Sequence, residues 1–82
     1  HSFEARRILV KAVILVTTKP GEAKAVPKRL KRLKGVKRAY ATLGRCDQVV
    51  VPEDMDLKQL GQLAFKVSST NGVKATETLV GF

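Results

Sequence analysis

Apolar positions along this chain follow two alternating periods, strand-like runs giving way to helix-like ones, in the order β-α-β-β-α-β. Val10 to Thr18 is β-branched and apolar, and it stops at the turn sequence Lys19-Pro20-Gly21. Its two parities are alike, Ala12, Ile14 and Val16 on one and Val13 and Leu15 on the other, which predicts a strand buried on both sides. Ala23, Val26, Leu30 and Leu33 then recur at helical spacing, with Lys24, Lys28, Lys31 and Arg32 opposite them and Lys34-Gly35 as the stop. Pro27 interrupts this pattern, so regular helix either begins near Lys24 or is kinked at the proline. Val36 to Leu43 alternates as a second strand, Gly44-Arg45 turns the chain, and Cys46 to Val51 forms a third strand that Pro52 ends. Asp56 with Gln59 three residues on marks a second helix start. Leu57, Leu60, Leu63, Ala64 and Val67 mark the buried face, Asn71-Gly72 the stop, and Val73 to Val80 the last strand.

Two right-handed crossovers joined by a hairpin have essentially one compact solution. The expected fold is therefore α+β and ferredoxin-like: a four-stranded antiparallel sheet, order 4-1-3-2, with both helices on one face. The first and third strands would be central, and they are the two with apolar residues on both faces, Val49 and Val51 against Val50 in the third. The edge strands mix in Lys37, Arg38, Lys74, Thr76, Glu77 and Thr78. Two helices cover one face only, and the valines and leucines of the other predict an interface. A sheet-to-sheet homodimer, a dimeric α+β barrel, is the expected cover; a further N-terminal or partner domain is the alternative. Residues 1–82 read as one domain, with residues 1–7 outside its ordered part.

A chain of 82 residues buries only roughly 60 to 65% of its unfolded surface, so help from a partner subunit is in keeping with its size. No stretch approaches the ~20 apolar residues of a membrane span. Glu4, Arg6 and Arg7 precede the first apolar run at once, unlike a signal peptide, and a cytoplasmic location is expected. Cys46 is the only cysteine, which excludes an intrachain disulfide and a zinc thiolate cluster, and it reads as a small buried hydrophobe. There is no interior histidine, no Ser/His/Asp set and no run of metal-spaced ligands. The expectation is no enzyme, no cofactor and no metal. Glu53, Asp54 and Asp56 cluster where carboxylates favour a helix start, so they read as capping groups.

The net charge of +9 is unevenly placed: ten cations between Lys19 and Arg45 face Glu22 alone, and 10 minus 1 is the whole excess. Lys28, Arg29, Lys31 and Arg32 offer contacts to phosphates, and a nucleic-acid-associated module is the alternative reading of the chain. RNA readers of this fold stack bases on aromatics of the central strands, and here those strands have none; Tyr40 stands on an edge strand. A solvated or anion-steering helix face is the plainer account.

The most specific segment is Thr42-Leu43-Gly44-Arg45-Cys46-Asp47, together with the closing Ala75-Thr76-Glu77-Thr78-Leu79-Val80. Gly44 permits a left-handed turn and close approach of a ligand to backbone N–H groups. The Arg45 guanidinium can clamp a carboxylate and Asp47 can accept from an ammonium, the two groups of an amino acid. Equally, Gly44 simply makes a hairpin that Asp47 caps.

At these residues the chain resembles the effector-binding (RAM) domain of the Lrp/AsnC family. The likeness runs from about Ala12 to Val80 through strand-Lys19-Pro20-Gly21-helix, Leu33-Lys34-Gly35-Val36, Gly44-x-x-Asp47 and Thr76-Glu77-Thr78-Leu79. The resemblance implies sheet-to-sheet dimers that assemble further, with amino acids or related metabolites bound between dimers near the hairpin. Gly44 and Asp47 match its motif, with Thr42 and Arg45 beside them and Thr76 and Thr78 on the strand that would complete the pocket. Family members usually begin with a helix-turn-helix, for which this chain has no room. It reads as a stand-alone RAM domain that does not bind operators directly, with a full-length Lrp/AsnC regulator as a further implied partner. The dense basic helix with Pro27 departs from the family pattern.

Overall fold

The computed structural model describes residues 8–42, 44 and 47–81. The elements follow in the order β1 (Leu9–Thr18), α1 (Ala25–Lys31), β2 (Val36–Ala41), β3 (Gln48–Pro52), β4 (Met55–Asp56), α2 (Leu57–Ser68) and β5 (Val73–Gly81). All pairings are antiparallel, β5 with β1, β1 with β3 and β3 with β2. With β5 as the fourth long strand, this is the expected 4-1-3-2 order and the ferredoxin-like α+β fold.

The extra strand β4 pairs Leu9 with Asp56 and Val10 with Met55. It lies on the same side of β1 as β3, whose register pairs Ile14 with Val50. Paired numbers sum to 64 along β3 and to 65 along β4, so the chain between them gains one residue, as at a bulge. Pro52 supplies the reason: with no N–H it cannot continue the ladder, and the next amide, of Glu53, donates instead to the Gly35 carbonyl at 2.8 Å.

Direct cross-strand partners point to the same side of a sheet. Ile14, Val16 and Val50 lie on the helix side, buried with Val26 and Leu30 of α1 and Leu60, Leu63 and Val67 of α2. At ~1.5 to 3 kcal/mol for each large side chain, this cluster is the main source of stability. Pro27 is the third residue of α1, where its missing N–H has no intrahelical carbonyl to meet, so the helix starts before it and is not broken. Asp56 caps α2 as expected: it accepts from the Gln59 amide at 2.8 Å, while the Gln59 side chain accepts from the Asp56 amide at 3.1 Å.

Two sequence expectations need correction. Ala23 lies in the exposed turn before α1, not on its buried face. Leu57, expected to be buried, is 57% exposed. At 3.6 residues per turn it sits roughly 60° round from Leu60, and so rotates out with Phe65.

The far side of the sheet has no covering element among the described residues. Tyr40, Val49, Leu15 and Glu77 form one rank across all four long strands, and Val13 pairs with Leu79 beside it. Tyr40 and Leu79 are nearly half exposed, and Val13, Leu15 and Val51 are half-buried. Val49 is little exposed but lies outside the core cluster.

Candidate functional site

The β2–β3 hairpin is set by its bonds at the base. The Thr42 amide donates to the Asp47 carbonyl at 2.9 Å, and the Asp47 amide reaches across to the Val16 carbonyl at 3.0 Å. The Asp47 carboxylate accepts from the Thr18 amide, both oxygens at 3.3 Å, and from the Thr18 hydroxyl. Asp47 is half-buried and Thr18 buried. The hairpin is thereby tied to the end of β1, which is the capping role that residue chemistry offered as an equal alternative. Gly44 is exposed at φ +116°, a left-handed conformation costly for other residues, with open space where a side chain would stand. Expectations placed on Arg45, Cys46 and residues 1–7 lie outside the described residues.

Thr42, Gly44 and Asp47 thus share one hairpin, whereas Thr76 and Thr78 do not join them within the chain. Thr76 pairs with Val16, and Val16 pairs on its other side with Gln48, next to Asp47. Two strand spacings put Thr76 roughly 10 Å from Gln48, and Thr78, opposite Ile14, lies a further two residues along the strand. Both threonines are half-buried on the helix side of the edge strand.

Gln48, next to Asp47, did not stand out in the sequence. It is 2% exposed, its amide nitrogen donates to the Ala23 carbonyl at 3.4 Å, and its side-chain oxygen is buried without a hydrogen-bond partner among the described residues. The available signal was parity, since Gln48 shares the inward side of β3 with Val50 and Pro52. At the opposite end of the sheet, a cleft of about 360 Å³ is lined by Lys34, Gly35, Glu53, Asp54, Met55 and Lys66 among others. Asp54 there meets Lys11 at 3.3 Å, a well-solvated pair of little energetic weight.

Asp47→Ala is expected to lower stability by about 1 to 3 kcal/mol, because the Thr18 hydroxyl and amide lose their acceptor in a part-buried place. Asp47→Asn, which keeps an acceptor oxygen, should cost less; urea unfolding of the two variants tests the order.

Of the alternative phosphate-binding set, Lys28, Lys31 and Arg32 are exposed. Arg29 is not free: its guanidinium donates to Glu22 and to the Asn71 carbonyl, both at 2.8 Å. Among the described residues, no three His, Cys, Asp or Glu side chains gather to hold a metal ion, and no helix is long and apolar enough to cross a membrane.

The fold is close to several solved structures. FFRP-DM1 is 31% identical, with 89% of this chain and 99% of that one covered at a TM-score of 0.80. Escherichia coli AsnC is 22% identical at a TM-score of 0.79, with 88% of this chain covered, and this chain spans 50% of that one. The transcriptional regulator NMB0573 from Neisseria meningitidis, solved in complex with L-Met, is 16% identical at a TM-score of 0.78, with 96% of this chain and 53% of that one covered. No family model and no curated protein matches the chain.

Proposed function

From the premise that this chain belongs to the Lrp/AsnC family, we propose that it is a non-enzymatic domain that binds an amino acid or related metabolite and couples it to assembly in transcriptional regulation. The open apolar sheet face pairs with that of a second copy to make a dimeric α+β barrel, and dimers associate further. The effector sits at the hairpin, where the Gly44 amide and Arg45 meet its carboxylate and Asp47 its ammonium. Thr42 borders the site. Thr76 and Thr78 stand too far from Gly44 in the same chain to share one small ligand with it, and a neighbouring subunit supplies them. The observation that best supports this site is the pairing of an unobstructed left-handed Gly44 with a carboxylate two strands wide in its bracing, fixed to Thr18 before any ligand arrives. That NMB0573, with the same fold, was solved with L-Met supports the effector class.

A calorimetric screen of the common amino acids against the wild type and Asp47→Asn tests the reading. At least one amino acid should bind with micromolar to millimolar affinity, and the variant should weaken it tenfold or more, the order of one charge-assisted contact. Binding of none, or binding indifferent to the substitution, removes the effector site from this hairpin.

A further inference from the structure

The effector-sensing reading leaves the basic helix without a role. Lys24, Lys28, Lys31 and Arg32 are all exposed, and Lys24 and Arg32, the residues flanking α1, both keep right-handed helical backbone. The four therefore fall within roughly 100° of the helix circumference, opposite the buried Val26 and Leu30. Lys24, Lys28 and Arg32 follow one another at i, i+4, i+8, about 6 Å per step and about 12 Å end to end. A shallow groove of about 330 Å³ runs beside them, lined by Lys24, Ala25, Lys28, Arg29 and Arg32. Its far wall is fixed, since Arg29 is held by Glu22 and Asn71.

Local stability does not account for this row. Cations near the end of α1 complement the helix dipole, but Lys24 at its start opposes it, and the first turn carries no acidic residue. Glu22, the one carboxylate in the segment, is taken by Arg29. Among the described residues the row stays uncompensated.

We propose that this ridge docks the phosphate backbone of nucleic acid, without regard to base sequence. A row of point charges along a rigid rod suits a regularly charged polymer. A protein partner would call for a large apolar or aromatic anchor at the centre of the patch, and among the described residues none lines the groove. A membrane surface would need an apolar helix face to insert, and the apolar face of α1 is spent in the core. Base readout has no carrier either, because no aromatic among the described residues lines the groove. The ridge lies on the helix side of the sheet, so the open face stays available to a second copy, and a dimer presents two ridges.

Fluorescence anisotropy with a labelled mixed-sequence DNA duplex tests this on the whole chain. With four phosphate contacts the logarithm of affinity should fall against log salt with a slope near −3.6, roughly 150-fold weaker between 50 and 200 mM. Lys28→Gln with Arg32→Gln should halve that slope, leaving roughly a 12-fold change, and weaken binding at 50 mM roughly tenfold or more. Glutamine is a good helix former, so the exposed substitutions keep the fold. Lys24→Gln alone should lower the slope by about one contact, whereas Lys58→Gln with Lys66→Gln, on α2, should change neither slope nor affinity. A second duplex of scrambled sequence should bind equally. No binding at 50 mM, equal loss from the α2 pair, a marked preference between the duplexes, or tighter binding to poly-glutamate or anionic vesicles than to DNA each overturns the proposal.

Discussion

Leu15→Lys is expected to separate the proposed dimer, raising its dissociation constant roughly a hundred- to ten-thousandfold. Leu15 sits in the middle of the open rank, between Val49 on one neighbour strand and Glu77 on the other. Within one chain it stays half-buried, and a covering sheet would complete its burial. Association completes only about half of each leucine's burial, so a two-fold interface loses about half of ~1.5 to 3 kcal/mol twice, about 1.5 to 3 kcal/mol in all, and the two charges left without a partner supply the rest. Sedimentation equilibrium over a concentration series measures the effect. Phe65→Lys on the outer face of α2 is the control, because Phe65 is more exposed, at 71%, yet lies on the other side of the molecule, and the substitution should leave association unchanged. A wild-type chain that remains folded and single at micromolar concentration would defeat the dimer, since its apolar face would then be stable in water.

Gly72→Ala should cost about 2 to 4 kcal/mol and lower the melting temperature by roughly 10 to 25 °C. Two effects add. Gly72 holds φ +95°, where a side chain is strained, and an added Cβ would stand 2.7 Å from Val26 Cγ2, 2.9 Å from Glu22 Oε1 and 3.0 Å from Arg29 Nη1. Val26 is fully buried and cannot retreat, while displacing Glu22 breaks the contact that holds Arg29. Gly21→Ala isolates the first effect: Gly21 has φ +84° with nothing within 4 Å of a Cβ, and only the strain of about 1 to 2 kcal/mol should appear. Equal losses in the two variants would show that the contact with Val26 and Glu22 relaxes freely.

Much of this architecture was legible because its signals are local. The unbroken β-branched and apolar runs of β1 and β3, the period near 3.6 in α2, the Asp56–Gln59 capping box and the glycine stops each belong to a few adjacent residues. They agree with one another, and consistency of this kind leaves few topologies open. The short β4 was not legible. Met55–Asp56 looks only like a helix entry until β1 is beside it, because a strand of two residues is defined by its partner. Leu57 and Ala23 were misplaced for a related reason, since helical spacing shows which residues share a face but not how far the face extends.

The candidate site divides in the same way. Gly44 and Asp47 could be singled out by type and spacing, yet whether Asp47 braces the hairpin depends on Thr18, which is 29 positions away. Arg29 and its neighbours in the basic helix look alike in sequence; only the approach of Glu22 and of the loop at Asn71 takes Arg29 out of the exposed row.

The sequence by itself determined the element order, the sheet topology and the uneven charge, because periodicity, turn chemistry and side-chain ionisation are carried by each short stretch of chain. Tertiary structure alone decided that Gln48 lies buried with an oxygen unmet among the described residues, that Asp47 is tied to β1, that Gly72 has no space for a methyl group, and that Thr76 and Thr78 stand apart from Gly44. Those facts depend on distances between residues remote in the chain, which are set only when the strands take their register and the helices pack against them.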